Sequence, residues 1–268
     1  MNKSTPKRVA VLGGGNLGHA LVRGWLSSNL LEPGDISITR RHVDKLSSLE
    51  SVGVQVGSDN REAVSQADCV IVAVQPGQVA GVLEEIRDLV GRRVVISVAT
   101  GVTLASVREI IGDEATLVRA MPNTAVETLS SMTCLSADDG SSSGLDAAEY
   151  LFDAVGRTLV IDEEMMTPAT ALCACGIAFF LRTVRAAAQG GTEIGFHADE
   201  ALALAAQTAR GAADLILSGG SHPESEIDRV TTPRGCTIAG LNELEHQGFS
   251  SAMIRGILTS SQRAEELL

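Results

Sequence analysis

Aromatic residues are scarce in this sequence, at 3% of its 268 residues, with one tryptophan and one tyrosine. The core must therefore be built mainly from alanine, valine, leucine and isoleucine, and the 44% hydrophobic content is typical of a globular protein. Positive charge is also in short supply, because 21 lysines and arginines face 33 acidic residues and leave a formal net charge of −12. An acidic chain has no general attraction for nucleic acid or for an anionic membrane. We expect neither as a partner, and any anionic ligand must be held by a local site.

Cysteine is sparse and scattered. The five cysteines are Cys69, Cys134, Cys173, Cys175 and Cys236, and they contain no CxxC pair. This spacing fits neither a disulfide framework nor a zinc site. We therefore expect no bound metal, and we interpret the cysteines as thiols in a reducing cytosol.

Long apolar runs are absent too. The most apolar segment, at residues 169–181, is shorter than the ~20 residues that a bilayer span needs, and Arg182 and Arg185 follow it. The polar start MNKSTPKR leads directly into the strand-like VAVL, with no apolar region of a secretory signal. The sequence therefore predicts a cytoplasmic protein without a membrane span.

Short β-rich runs alternate with helical patterns from Arg8 to about Glu163. The candidate strands lie at 9–12, 36–39, 69–74, 94–99 and 115–121, followed by LSSMTCL and RTLVI. Several are apolar throughout, as strands covered on both faces are, and amphipathic helices lie between them. The pattern predicts an α/β fold, with a doubly wound parallel Rossmann sheet at residues 1–165 and a polar loop inside it at 138–144.

The strand pattern ends after Met166. Four helical patterns, divided by glycine, serine and proline, fill residues 166–268. Two of them are apolar around most of their circumference, so one face of each is expected to pack against another subunit. We predict an all-α C-terminal dimerisation domain at 166–268, in a homodimer or a higher homo-oligomer.

A glycine-rich turn follows the first strand. Gly13, Gly15 and Gly18 have the spacing GxGxxG at the start of a helix. In a dinucleotide site the first glycine permits the tight turn, the second lets the pyrophosphate approach the backbone, and the third lets helix and strand pack closely. A structural turn without a ligand has the same spacing, but the position at the first βα turn favours a dinucleotide.

The end of the second strand indicates which dinucleotide is bound. NAD-binding folds normally have an acidic residue there, whereas this chain has Thr39, Arg40 and Arg41. A pair of cations suits the 2′-phosphate of NADP(H), although a solvated basic turn has the same sequence. We therefore prefer NADP(H) and keep NAD(H) as an alternative.

Three further loops are candidate ligand-binding sites. AVQPGQV at 73–79 and RAMPNTAVE at 119–127 follow strands, at the edge where open α/β sheets bind ligands, and the second offers Asn123 and Thr124 to a nicotinamide. Taken alone, each is as typical of an ordinary strand-to-helix turn. The third, TTPRGCT at 231–237, opens onto a helical pattern and leaves backbone N–H groups free for an anion.

A series of segments carries a family resemblance: VLGGGNLGHALVRG, SDNREAV, AVQPGQV, SVATGVT, RAMPNTAVE, ALALAAQTARGAADLI and RVTTPRGCTIAGLNELEHQGF. In this order they resemble the successive motifs of the pyrroline-5-carboxylate reductase family, over nearly the whole chain. MPNT and the late TPxGxT loop are the most specific. The resemblance implies the last step of proline biosynthesis, in which a hydride passes from NAD(P)H to the C=N carbon of 1-pyrroline-5-carboxylate. It also implies that the partner subunit completes each active site.

Together the motifs and the resemblance assign the site residues. The predicted cofactor-binding residues are Gly13, Gly14, Gly15, Asn16, Leu17, Gly18, Arg40, Arg41, Asn60, Ala73, Val74, Gln75, Pro76, Ala99, Thr100, Met121, Pro122 and Asn123. The predicted substrate-binding residues are Thr232, Gly235, Cys236 and Thr237. Free N–H groups of Gly235, Cys236 and Thr237 would hold the carboxylate of the imine.

Thr237 is the candidate catalytic residue, since its hydroxyl could hydrogen-bond to the ring nitrogen. A protonated imine is already electrophilic, so the main task is alignment and no dedicated acid is needed. We therefore assign no role to the five histidines, which we interpret as surface or capping residues.

Three positions depart from the family pattern. Arg234 stands where the family usually has glycine, Ile177 lies in ACGIAFF where the family commonly reads GSGPAY, and Gln75 replaces a frequent lysine. If residue 234 needs a positive φ, arginine is strained there by ~1 kcal/mol or more; otherwise it adds a cation beside the carboxylate. The alternatives are a reductase of another cyclic imine, such as the six-membered homologue, or a non-catalytic dinucleotide-binding relative.

Overall fold

The computed structural model of the chain describes residues 5–138 and 142–266. Within them the strands are β1 Val9–Leu12, β2 Ile36–Thr39, β3 Gln55–Gly57, β4 Cys69–Val72, β5 Val94–Ser97, β6 Thr116–Met121, β7 Ser131–Ala137 and β8 Gly156–Val160. The α-helices are α1 Asn16–Ser27, α2 Ser47–Glu50, α3 Asn60–Ser65, α4 Pro76–Val90, α5 Leu104–Ile111, α6 Ser142–Asp153, α7 Met166–Ala169, α8 Gly176–Glu193, α9 Ala198–Gly219, α10 Pro223–Val230, α11 Cys236–His246 and α12 Phe249–Glu265. A π-helix, Thr170–Cys175, joins α7 to α8, and 3-10 helices occupy Pro33–Asp35, Val43–Leu46, Thr124–Thr128 and Glu163–Met165. Of the predicted loop at 138–144, residues 139–141 lie outside the described residues.

The strands form one sheet in the order β3-β2-β1-β4-β5-β6-β7-β8. The first six are mutually parallel, which confirms the predicted Rossmann sheet, whereas β7 is antiparallel to β6 and β8 is parallel to β7. The chain reverses after β6 because Thr124–Thr128 and Leu129, with a left-handed φ of 56°, turn it back without a crossover helix. The strand order reverses between β1 and β4, and ligands of such sheets bind at the carboxyl ends of the strands at that point.

Both faces of the sheet are covered, as the apolar strands predicted. In β1, Val9 and Val11 belong to one apolar cluster and Ala10 and Leu12 to another, because successive side chains of a strand point to opposite faces. The first cluster contains the single tryptophan, Trp25, whose indole N–H donates to the Leu151 carbonyl at 2.8 Å. Its ring meets Phe152 edge to face, with the ring centres 6.5 Å apart.

A third, smaller cluster joins the ends of β6 and β7 to α7. It contains Met121, Cys134, Met166 and Ala169. Contacts group the chain up to Cys175, with the residues from Ser260 on, into one unit and Gly176–Thr259 into a second. The second unit thus begins later than the predicted C-terminal domain, because Met166 and Ala169 bury apolar side chains against the sheet.

The second unit is helical and apolar on its surface. Among its described residues Ala201 is the only buried hydrophobic one, while Phe180, Leu181 and Ile194 are 63%, 62% and 79% exposed. The predicted apolar faces are therefore present, and this unit leaves them uncovered.

The sequence predicts four helices after Met166. The structure adds another helix in this unit, α10, which the sequence did not predict. The segment PESEIDRV is short, and Ile227 and Val230 are its only large apolar side chains, too few for a clear amphipathic pattern. Local polar interactions form it instead, because Pro223 begins the helix, His222 caps it, and Arg229 pairs with Glu226 at 2.9 Å.

The helical run Glu163–Glu193 is 31 residues long, and the mean hydropathy of its most apolar window is 1.5, so it is long and apolar enough, by length and composition, to cross a membrane. The sequence predicted a segment too short for a span because that prediction considered only the most apolar residues, whereas the helix continues on both sides. Only 11% of its most apolar window is buried, so the described residues leave most of this apolar surface exposed.

Candidate functional site

The turn after β1 is shaped by its glycines. Gly13 has a φ of 115°, and a Cβ there would lie 2.5 Å from the Ala73 carbonyl oxygen, while a Cβ on Gly18 would lie 2.2 Å from the Gly13 oxygen. A Cβ on Gly15 would meet nothing within 4 Å. Gly15 also precedes α1 without a side-chain cap, so the first N–H groups of that helix are free. The open space and the free donors fit a pyrophosphate.

The end of β2 brings positive charge to this turn. The N–H groups of Gly13 and Gly14 donate to the Thr39 carbonyl at 3.2 and 2.7 Å, and Nη1 of Arg40 donates to the Gly14 carbonyl at 2.6 Å. Arg40 is therefore tied to the glycine turn. Arg41 is exposed, so its guanidinium is accessible to a phosphate.

Asn60, at the start of α3, is fixed by two hydrogen bonds. The Thr39 hydroxyl donates to Asn60 Oδ1 at 2.7 Å, and Asn60 Nδ2 donates to a Glu85 carboxylate oxygen at 2.8 Å. The amide orientation is thus set by α4 on one side and β2 on the other.

These elements enclose a cleft of about 720 Å³, a size that accommodates a small organic ligand. Predicted cofactor residues that line it are Gly13, Gly14, Gly15, Arg40, Arg41, Asn60, Ala73, Val74 and Gln75. Asn16, Leu17 and Gly18 lie in the first turn of α1 and Pro76 begins α4, and these four do not line the cleft.

The remaining predicted cofactor residues end or follow β5 and β6, at the same carboxyl edge of the sheet, and do not line the cleft. They are Ala99, Thr100, Met121, Pro122 and Asn123. The Asn123 side chain is engaged within the protein, since Oδ1 accepts from the Ala125 N–H at 2.9 Å and Nδ2 donates to the Cys173 carbonyl at 3.3 Å. The structure thus gathers the residues predicted around the glycine turn and places the predicted nicotinamide residues further along the edge.

Several residues of the cleft were missed by sequence reasoning, namely His42, Ser58, Gly77, Gln78, Gly81, Val82 and Glu85. Gly77, Gly81 and Glu85 recur at i, i+4 and i+8 and therefore share one face of α4. This spacing is the sequence signal from which these cleft residues could have been predicted. His42 is the one histidine in the cleft wall, although no histidine was assigned a role, whereas His197 and His222 cap helices as predicted.

His19, on α1, is partly buried. Its burial and the nearby Arg23 lower its pKa, which disfavours the charged imidazolium. Arg40 and Arg41 bring positive charge to this end of the cleft.

The predicted substrate loop, Thr232–Thr237, lies in the helical unit and ends at the start of α11. Gly235 precedes the helix without a side-chain cap, so the N–H groups of Cys236 and Thr237 are free. The N–H of Gly235 is not free, because it donates to the Thr232 carbonyl at 2.9 Å, which corrects one of the three predicted donors. A Cβ on Gly235 would lie 2.4 Å from the Thr232 hydroxyl oxygen, so the loop is tightly folded.

Arg234 has a left-handed φ of 60°, which decides between the two alternatives for this position in favour of the strained one. Arg234→Gly is expected to raise the free energy of unfolding by roughly 0.5 to 1 kcal/mol, because glycine has no Cβ penalty there although it gains more freedom when unfolded. Urea denaturation measures the change. The matched control Arg210→Gly, in the middle of α9, should lower the stability by about 1 kcal/mol. A loss of stability in Arg234→Gly would contradict the strain.

The sheet, the glycine turn and the basic cleft define a dinucleotide-dependent oxidoreductase of the Rossmann type. Residues 8–101 match a family model described as NADP oxidoreductase, coenzyme F420-dependent, and residues 163–267 match one described as pyrroline-5-carboxylate reductase dimerisation. Over 97% of its length the chain is 44% identical to pyrroline-5-carboxylate reductase 2 of Dictyostelium discoideum, of which it covers 93%. The chain belongs to the pyrroline-5-carboxylate reductase family, as the motifs predicted.

One further sequence relative and one solved structure are also similar to this chain. Pyrroline-5-carboxylate reductase 1 of Dictyostelium discoideum is 47% identical over 97% of this chain, which spans 49% of that longer protein. The solved structure of a Plasmodium falciparum pyrroline carboxylate reductase with NADP bound is similar with a TM-score of 0.88, over 99% of this chain and 98% of its own, at 21% identity. This last likeness supports the fold.

Proposed function

We propose that this chain reduces 1-pyrroline-5-carboxylate to L-proline with NADPH, the final step of proline biosynthesis. The observation that carries the proposal is that the family likeness covers both parts of the chain. The sheet supplies the dinucleotide cleft, and the helical unit supplies a loop whose free N–H groups suit a small carboxylate.

The chain's own residues bind and orient rather than react. When bound, NADPH supplies the hydride. The glycine turn and Arg41 hold the phosphates, while Arg40 and Asn60 keep the turn and the cleft wall in place. At the substrate loop the N–H groups of Cys236 and Thr237 donate to the carboxylate, and the Thr237 hydroxyl faces the ring nitrogen. Fixing a protonated imine in this way removes much of the entropic barrier to the reaction.

The cofactor preference is proposed to depend on Arg41. Arg41→Ala is expected to weaken NADPH binding about two- to fivefold, since an ion pair at an exposed site contributes up to ~1 kcal/mol, and to leave NADH binding nearly unchanged. Arg40→Ala should weaken both nucleotides, with a larger effect on NADPH, because it also frees the Gly14 carbonyl. Fluorescence titration measures both affinities. Arg87→Ala, the same change on α4 outside the cleft, is the control, and an unchanged NADPH to NADH ratio in Arg41→Ala would reject the assignment.

One assay tests the function itself. Purified protein is mixed with NADPH and with either the five-membered or the six-membered cyclic imino acid, and the loss of NADPH absorbance is followed. Faster turnover of the five-membered ring supports the proposal. Faster turnover of the six-membered ring would favour the alternative substrate, for which Ile177 and the strained Arg234 are the departures that would reshape the substrate pocket. NADPH binding without turnover of either would indicate a non-catalytic relative.

We further propose a cytoplasmic homodimer in which a second copy, rather than lipid, covers the apolar helices. A groove of about 700 Å³ between α8 and α9 is lined by large apolar side chains, including Phe180, Ile194 and Leu204. Arginines at 182 and 185 and Glu193 lie on the same helical run, where a lipid environment would disfavour them. The family model for dimerisation covers this region. Sedimentation without detergent should show a stable dimer or a larger closed assembly, whereas a detergent requirement would contradict the proposal.

A further inference from the structure

Two cysteines that are distant in the sequence lie side by side in the structure. The sulfur atoms of Cys134 and Cys173 are 3.9 Å apart. Cys134 is in β7 and is 3% exposed, whereas Cys173 is in the π-helix Thr170–Cys175 and is partly exposed. A disulfide requires a sulfur separation of about 2.05 Å, so a local movement of roughly 2 Å would allow the bond.

The pair lies directly beside the loop that follows β6. Cys134 is the cross-strand neighbour of Met121, the last residue of β6, and packs with it in the third apolar cluster. The Cys173 carbonyl accepts a hydrogen bond from Asn123 Nδ2 at 3.3 Å. Any displacement of Cys173 is therefore transmitted to Asn123, a predicted contact of the nicotinamide.

The two thiols differ in their chemical character. The hydrogen bond between the two sulfurs lowers the pKa of Cys173 to about 7 and raises the pKa of Cys134. A thiolate is the nucleophilic form of cysteine, so this difference favours Cys173 over Cys134 as the attacking thiol. Cys69 differs from both, because complete burial raises its pKa. It serves as an internal reference for an unreactive thiol.

We propose that Cys134 and Cys173 form an oxidisable dithiol that closes to a disulfide and slows turnover until a thiol reductant reopens it. With hydrogen peroxide as the oxidant, the Cys173 thiolate attacks one peroxide oxygen, which gives a sulfenic acid and hydroxide. The Cys134 thiol then attacks the Cys173 sulfur, the S–S bond forms, and water leaves with the sulfenic oxygen and the thiol proton. The two sulfurs are oxidised and one peroxide is reduced to water.

The effect on turnover follows from the connection to Asn123. Closing the bond pulls the π-helix and β7 together and shifts the carbonyl that holds the Asn123 side chain. A misplacement of about 1 Å near reacting groups costs up to ~100-fold in rate, so we expect kcat to fall at least about tenfold. This consequence depends on the proposed imine reduction, whereas formation of the disulfide does not.

The experiment treats the intact protein with hydrogen peroxide, removes the excess with catalase, alkylates free thiols and digests with trypsin. Cleavage after Arg119, Arg157 and Arg182 places Cys134 in peptide 120–157 and Cys173 in peptide 158–182. We expect these peptides to be joined, lighter than their sum by two hydrogen atoms, and fragmentation to place the bond at Cys173. Turnover should fall together with peptide joining and return with dithiothreitol.

The control variants separate this pair from the other thiols. Cys175→Ser keeps both sulfurs of the pair and should still form the joined peptide, while Cys173→Ser and Cys134→Ala should lose both the joined peptide and the reversible fall in turnover. Cys173→Ser changes only a partly exposed position, so it remains informative if Cys134→Ala folds poorly. Recovery of both cysteines alkylated, a bond through Cys175 or Cys236, or a joined peptide with unchanged turnover would each overturn the proposal. The peptide result is obtained without substrate, so it stands apart from the proposed function.

Discussion

Gly15→Ala is expected to weaken NADPH binding by about 10- to 100-fold, equivalent to ~1.4 to 2.8 kcal/mol, while leaving the thermal unfolding temperature nearly unchanged. The two effects separate because the added methyl group would touch no protein atom within 4 Å and so disturbs only what occupies that space. Gly15 has an ordinary negative φ, −76°, so alanine adds no backbone strain. The pyrophosphate, however, must approach the backbone at this glycine. Fluorescence titration and differential scanning calorimetry measure the two quantities.

Two other glycines serve as controls for that experiment. Gly34→Ala also adds a methyl group to open space, but outside the cleft, and should change neither quantity much. Gly13→Ala should reduce both, because its Cβ would lie 2.5 Å from a backbone oxygen at a φ of 115°. Equal NADPH affinity of Gly15→Ala and the wild type would remove this turn from the cofactor site.

Thr237→Ala is expected to lower kcat/KM for the imine by about 10- to 100-fold, because a hydrogen bond to a charged group contributes ~1.5 to 3 kcal/mol. The NADPH dissociation constant should stay the same, since the substrate loop belongs to the helical unit and the phosphates bind at the sheet. Steady-state kinetics with varied imine, combined with NADPH titration, separate the two steps.

The conservative variant Thr237→Ser retains the hydroxyl and should keep most of the activity. Loss of activity in Thr237→Ser as severe as in Thr237→Ala would point to packing at the start of α11 rather than to the hydroxyl. Wild-type kinetics in Thr237→Ala would end the assignment of this residue to catalysis.

Much of the fold was predictable because local signals agreed with one another. The apolar runs of β1, β4 and β5 are covered on both faces. The glycines at 13, 15 and 18 were each predicted for a different steric reason, and their surroundings in the structure agree with those reasons. The turn back after β6 was not predictable, because an antiparallel partner strand has the same composition as a parallel one. α10 was missed because it is short and has only two large apolar side chains, so polar contacts are its main signal.

Sequence reasoning did anticipate which residues the fold brings together at the cleft, since Arg40, Arg41 and the glycine turn line it, and their roles stay predictions. The pairing of Cys134 with Cys173 depends on how a β-strand and a π-helix from different parts of the chain pack, and no local pattern reports this. The Gly235 N–H was taken as free because the sequence does not show the tight turn that returns it to Thr232.

The exposed apolar surface of α8 and α9 has a consequence for the evolution of this protein. Under the proposed homodimer, a two-fold axis repeats every position of that surface, so one codon change alters two contacts at once. A substitution that would cost a monomer a small amount of stability therefore costs the dimer twice that amount. A charge introduced on this surface likewise appears twice in the same interface. We expect this surface to drift more slowly than equally exposed positions elsewhere, for reasons of assembly alone.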